Sequence, residues 1–338
     1  MSPLLLSCLL FISAAFVMVF AGVKLVKQAD TLADQTGMGE ALFGIVFLAG
    51  ITSLPDFAST LSAALDSRAD LAISNIMGSM VLNLAFLGVA DILYRKANLE
   101  HAAASPVNLM LAGLLIALLT LPMFAVFTPL IAGFNVHPVT PIIIVAYLFG
   151  LHLVQKTQKR PMWFPRKTHQ TVTDDISPNN EQNAALLWFS FLSLALITAV
   201  AGWVLMGAAK EITHQTGLPD TLVGGVFTAL VTSLPELVTT IAAIRIGALT
   251  LAVSNIFGTN CFNILVVAAA DIGYTDGSIY HAMDPLQMTW GLVAILMSAI
   301  LLLGMILREK YGIGRIGFES ALMLGVYVIA VVLITSNV

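Results

Sequence analysis

Charge is what this sequence has least of. Asp, Glu, Lys and Arg make up 10% of its 338 residues, where a soluble domain carries about 25%. With 58% hydrophobic residues and a mean hydropathy of +0.93, lipid rather than water is the main solvent. A basic excess is also missing. Fifteen Lys and Arg against nineteen Asp and Glu leave a formal charge of −4, which argues against a nucleic-acid partner. Cysteine is nearly absent: Cys8 and Cys261 lie in apolar runs, too few for a disulfide framework or a zinc site, and read as small packing residues. The run Leu4–Gly22 has no basic segment before it and is long for a secretory signal, so it reads as a first spanning helix.

What is present in abundance is apolar runs long enough to cross roughly 30 Å of hydrocarbon. They lie near Leu4–Val26, Ala41–Leu65, Leu71–Tyr94, Pro106–Phe127 and Pro138–Leu153. A second set covers Ala184–Met206, Thr221–Ile244, Leu249–Tyr274, Pro285–Leu307 and Ile316–Thr335. The expectation is an all-α membrane protein of about ten transmembrane helices. Residues 1–155 hold the first five spans, 156–183 a hydrophilic linker and 184–338 the second five. Asp174, Asp175, Asn179, Asn180 and Glu181 make the second half of the linker acidic, without the ligand spacing of a calcium loop. A solvated connector is the reading there.

Basic residues set the orientation. Lys156, Lys159, Arg160, Arg166 and Lys167 crowd the linker, which places it in the cytoplasm. Alternating outward, Lys24, Lys27, Arg95, Lys96, Arg245, Arg308, Lys310 and Arg315 fall on the same side, and only Arg68 and Lys210 on the other. Both termini then face the exterior of a plasma, or inner, membrane.

The sequence matches itself at an offset of 180 residues. Gly44–Ile92 and Gly224–Ile272 align without a gap, identical at about 20 of roughly 49 positions. Upstream, Gln35-Thr36-Gly37 matches Gln215-Thr216-Gly217 and Ala21-Gly22 matches Ala201-Gly202. Five spans separate equivalent points. An odd number turns the second copy upside down, giving two inverted five-helix repeats, an architecture that holds its site near the midplane.

The shared residues are polar ones that lipid tolerates least. Thr52-Ser53-Leu54-Pro55-Asp56 and Thr232-Ser233-Leu234-Pro235-Glu236 both fall mid-span. Each proline removes one N–H and crowds the carbonyl four residues earlier, at Ile51 and Val231, weakening the turn around Ala49 and Ala229. A freed carbonyl inside a membrane needs a partner, and a cation is one. An ionised carboxylate at mid-membrane costs at least ~2.5–3.5 kcal/mol, and no basic residue sits mid-span to offset Asp56 or Glu236. Protons or bound cations remain. The next helix of each copy adds Ser74-Asn75 through Ser79 and Asn83, and Ser254-Asn255 through Thr259 and Asn263. Ser79 with Asn83, and Thr259 with Asn263, share a helical face. Carboxylates, hydroxyls, amides and carbonyls suit a hard cation such as calcium, which takes 6–8 oxygens. No histidine or cysteine set suits a transition metal, and no nucleophile–base constellation suits an enzyme. Asp91 and Asp271 match between copies but fall at span ends, where a helix terminus suffices. Trp163 and Trp188 read as interfacial anchors.

At these residues the chain resembles the sodium/calcium exchangers of the calcium:cation antiporter superfamily, whose two inverted repeats each read close to G-T-S-L-P-E and G-N-x-x-G-S-N-x-x-N/D. The resemblance implies that Asp56 and Glu236 bind Ca2+, with backbone oxygens from Thr52 and Thr232. It further implies Na+ ligation by the hydroxyls of Ser53 and Ser233, outer Na+ sites completed by Ala49, Ala229, Ser79 and Thr259, and Asn83 and Asn263 at the centre. The family's glycine before the threonine is here Ile51 and Val231, its Gly-Asn is Ser74-Asn75 and Ser254-Asn255, and Gly78-Ser79 is followed by Met80. The implied activity is exchange of Ca2+ for Na+ by alternating access, with H+ as the alternative counter-ion. The ions are substrates, so no cofactor is expected, and neither is an obligatory protein partner.

Overall fold

The computed structural model describes residues 3–129, 136–172, 183–216, 229–312 and 316–336. Among these residues every regular element is a helix. The first is α1 (Pro3–Thr36). A broken pair follows, α2 (Gly39–Thr52) and α3 (Leu54–Leu65), bent by 51°. Then come α4 (Ala69–Leu93), a short α5 (Leu99–Ala102), α6 (Pro106–Val126) and α7 (Val139–Lys159). The second half holds α8 (Ala184–Thr216), a second broken pair whose described parts are α9 (Ala229–Thr232) and α10 (Leu234–Ile246), then α11 (Leu249–Gly273), α12 (Pro285–Leu307) and α13 (Phe318–Ser336). Every expected apolar run overlaps one of these helices. Gly133, Asn135, Asp174, Asp175, Asn179, Asn180, Glu181, Arg315 and the stretch 217–228 lie outside the described residues.

Among the described residues seven helices (α1, α4, α6, α7, α8, α11 and α12) are long and apolar enough to cross a membrane, and the α2–α3 pair makes an eighth span if taken as one. Burial sorts them. The apolar windows of α4 and α11 are 83% and 89% buried, against 22–50% for the other five, so these two helices form the centre. The outer helices turn apolar side chains outward: Phe16 is 73% exposed and Trp203 71%. In water that surface would be a liability; in hydrocarbon it costs nothing. Both α1 and α8 run well beyond the apolar stretches that seed them. Leu25, Val26, Ala29, Leu32 and Ala33 are all fully buried, a helical stripe that carries α1 inward past its polar residues. The two long helices pack against each other along their length.

Hydrogen bonds at the two ends repeat at the 180-residue offset. Asp91 accepts from the Leu99 N–H at 2.6 Å and the Gly317 N–H at 2.9 Å. Asp271 accepts from the Ile279 N–H at 3.0 Å and the His137 N–H at 2.8 Å. Each bond in one set has its counterpart in the other, with the halves of the chain exchanged. Both aspartates therefore tie a helix end to a neighbouring loop, as their span-end positions suggested. Trp188, half-buried near the start of α8, packs with Phe43, Phe47 and Phe191 between α8 and α2.

Close approach of α2 to α11 depends on Gly258. A methyl there would meet the Ile45 Cα at 2.5 Å and the Ala49 Cβ at 2.9 Å. At Gly50, on the same broken helix, a methyl meets nothing within 4 Å. Gly258→Ala is therefore expected to lower stability by about 1–3 kcal/mol, while Gly50→Ala leaves it unchanged or raises it. Thermal unfolding in detergent checks the pair, and equal melting of the two variants would refute this packing.

Candidate functional site

Pro55 begins a helix here. It lies in the first turn of α3, where a missing N–H is no loss and its fixed φ fits. The break falls at Ser53, with φ −78° and ψ −2°. Ser233 breaks the second pair with nearly the same geometry, φ −87° and ψ 2°. Across each break the backbone is held by one bond on either side. The Ser53 N–H donates to Ala49 O and the Phe57 N–H to Ser53 O. The Ser233 and Leu237 N–H groups do the same to Ala229 O and Ser233 O.

Such a break places Asp56 and Glu236 in the first turns of α3 and α10. Helix N-termini carry partial positive charge, which eases a buried carboxylate. Both side chains are fully buried, and among the described residues no Lys or Arg is within ion-pair reach of either. One Asp56 oxygen accepts from the Ser79 hydroxyl at 3.0 Å, the other from Asn263 Nδ2 at 3.3 Å. Ser79 also lies 3.2 Å from the Thr232 hydroxyl, and Thr52 lies 3.4 Å from Thr259. Those two contacts are again one contact seen twice at the offset of 180. Glu236 is the less satisfied acid. Neither of its oxygens has a hydrogen-bond partner, and Asp56 and Thr52 are the side chains acting on it. The Ser53 and Ser233 hydroxyls and the Oδ1 atoms of Asn83 and Asn263 are buried and unpartnered too.

The structure thus brings Asp56, Glu236, Thr52, Thr232, Ser79, Thr259 and Asn263 into one buried polar centre, with Ser53, Ser233 and Asn83 buried nearby. The Ala49 and Ala229 carbonyls each accept from a serine N–H and from the threonine hydroxyl of their own turn, at 3.3 Å for Thr52 and 3.1 Å for Thr232. Among the described residues no group of three or more His, Cys, Asp or Glu forms a metal cluster. The donors are two carboxylates within a shell of neutral oxygens, a set suited to hard cations.

Three amides were not singled out for what they do. Asn75 donates to Ser59 at 2.9 Å and Thr60 at 3.2 Å, and Asn255 donates to Thr239 at 3.1 Å. These bonds pin α4 to α3 and α11 to α10. Asn260 bridges the central helices, accepting from Asn83 Nδ2 at 3.1 Å and donating to Met80 O at 2.9 Å. Its counterpart in the first copy is Met80, so the self-comparison passed it over.

Broken helices converging on buried acids within an all-helical, multi-pass chain define a membrane transporter of the cation-binding type. Comparison with known proteins makes this specific: the model of the sodium/calcium exchanger protein family matches residues 6–156 and 185–336, and the chain belongs to that family. It is 27% identical to the inner membrane protein YrbG of Escherichia coli over 84% of this chain and 83% of that protein. It is 23% identical to the sodium/calcium exchanger MaX1 of Methanosarcina acetivorans over 72% of this chain and 75% of that protein. Among solved structures, the sodium-calcium exchanger NCX_Mj superposes with a TM-score of 0.70 at 20% identity, covering 97% of this chain and 99% of that one, a likeness of fold.

Asn260 offers a test of the site's scaffold. Asn260→Ala leaves the buried Asn83 amide without its acceptor and takes from the Met80 carbonyl, still bonded within its helix, its second donor, a loss of about 1–3 kcal/mol. The expected result is a lowered unfolding temperature, and a variant as stable as the parent would show that the bridge contributes nothing.

Proposed function

We propose that this protein exchanges Ca2+ for Na+ across the plasma, or inner, membrane by alternating access. Asp56 and Glu236 hold the cation, Thr52, Thr232, Ser53, Ser233, Ser79 and Thr259 surround it with oxygens, Ala49 and Ala229 supply outer carbonyls, and Asn83 and Asn263 close the centre. One observation carries the reading. Two acids are fully buried with no basic partner among the described residues, and neither oxygen of Glu236 is held by a hydrogen bond, with Thr52 the hydroxyl beside it. Cations supply what the protein withholds.

The same feature gives the coupling. An empty centre exposes two negative charges to a low-dielectric interior, so crossing unloaded is costly. Ca2+, or Na+ in its place, removes that cost and allows the helices to shift. Transport becomes obligatory exchange. The ten-span arrangement belongs to this reading: residues 1–155 and 184–338 act as two inverted five-helix halves around one site, joined by a cytoplasmic linker over 156–183, with both termini outside. It draws support from the hydrogen bonds that recur at an offset of 180. The engaged carbonyls of Ala49 and Ala229 fit a closed state whose turns must loosen before those oxygens reach an ion.

Reconstituted vesicles test the proposal. Calcium-45 uptake is expected to follow an imposed Na+ gradient and to be lost in Asp56→Asn, Glu236→Gln and the double variant, each weakening Ca2+ by at least about tenfold, or about 1.4 kcal/mol. Uptake driven by a pH gradient but not by Na+ would replace Na+ with H+ as counter-ion, and uptake undiminished in the double variant would end the proposal.

A further inference from the structure

A second pair of acids lies at the end of the bundle that carries the linker, away from the cation centre. Glu100, in the short α5, is 3% exposed, and Glu319, in the first turn of α13, is 1% exposed. Both Glu100 oxygens and Oε2 of Glu319 are buried without a donor. The two carboxyl groups nevertheless face one another within hydrogen-bonding reach. As carboxylates they have only acceptors to offer, and two ionised acids in contact repel. One proton between them removes the repulsion and provides the missing donor.

Among the described residues, neighbouring groups give no other neutralisation. Asp91, from the end of α4, adds negative charge, and its own oxygens are taken by the Leu99 and Gly317 N–H groups. Glu309 adds more. Arg308, at the end of α12, turns its guanidinium to Arg166 O, His101 O and the Thr171 hydroxyl. Lys310 lies over the Tyr311 ring. His101 donates from Nδ1 to Arg308 O at 2.8 Å and pairs through Nε2 with Thr168. No cluster of three acids with metal-binding geometry exists among the described residues. Burial therefore pushes the Glu100 carboxyl well above its ordinary range, with the Asp91 and Glu319 charges adding to it.

The other end of the protein shows what the fold needs without this pair. The offset of 180 puts Tyr280 where Glu100 stands and Val139 where Glu319 stands. There the Tyr280 hydroxyl lies 3.1 Å from Thr140, which donates to Asp271 at 2.6 Å, a neutral network around the equivalent aspartate. The acids are thus an addition at one end, not a requirement of the architecture.

We propose that Glu100 and Glu319 bind one proton between them, a proton site separate from the cation centre that clamps α5 to α13. The contacts of this corner to Arg166, Thr168, Thr171 and Val172 make the linker its mechanical neighbour. The sign follows from the raised affinity for the proton. The clamp is complete at low pH and weakens as pH rises and the shared proton leaves.

Infrared difference spectra and thermal melting of the purified full-length protein, run from about pH 5 to about pH 9, test this. Wild type minus Glu319→Gln should contain a protonated carboxyl C=O band that fades as pH rises, and Glu100→Gln should remove the same band. The wild-type melting temperature should fall over that range by at least about 3 °C more than that of Glu100→Gln, whose amide donates at every pH. Glu100→Tyr with Glu319→Val, the side chains of the opposite end, should fold and lack both signals. A His101→Gln control removes the imidazole contribution. Equal bands or equal pH slopes in wild type and variants would overturn the proposal, as would loss of the band on adding Ca2+, which would make the pair a cation site.

Discussion

The whole design answers to one constraint: two carboxyl groups are fully buried where, among the described residues, no basic side chain reaches them. Asp56 keeps hydrogen bonds from Ser79 and Asn263. Glu236 keeps none. The surroundings ease the cost through helix N-termini and nearby hydroxyls, but they do not cancel two charges. In the function proposed above, a cation of matching charge does, which turns the protein's most costly feature into its binding site.

Duplication solves a geometric problem that this constraint poses. Two broken helices must present their first turns to the same point, and a single break cannot do that. Copying the unit supplies the second break with nearly identical backbone angles at Ser53 and Ser233. The scaffold bonds follow suit: Ser79 with Thr232 mirrors Thr259 with Thr52, and Asp91 mirrors Asp271. The symmetry is broken at the positions that tune chemistry. Asp56 faces a longer Glu236, Met80 stands where Asn260 bridges the central helices, and Tyr280 stands where Glu100 meets Glu319. Inherited geometry and local divergence are therefore separable on this chain.

Much of this was legible beforehand, because membrane burial and proline chemistry act through the sequence itself. The apolar runs marked the helices, and the two Thr-Ser-Leu-Pro-acid motifs marked the breaks. Other features were hidden for physical reasons. That the Ala49 and Ala229 carbonyls stay hydrogen-bonded within their own turns on the near side of each break is not visible in the motif. Asn260 was passed over because matching the copies discards positions where they differ. The end of α1 is not legible in hydropathy, which does not register a narrow buried stripe among polar residues. Glu100 and Glu319 fall outside or at the edge of apolar runs, in separate halves, and only the folded chain brings them together.

The most direct measurement is anomalous diffraction from crystals soaked in Sr2+ as a stand-in for Ca2+. The account requires one strong peak bridged by the carboxylates of Asp56 and Glu236. A peak elsewhere, or none while those side chains remain in contact, would contradict it.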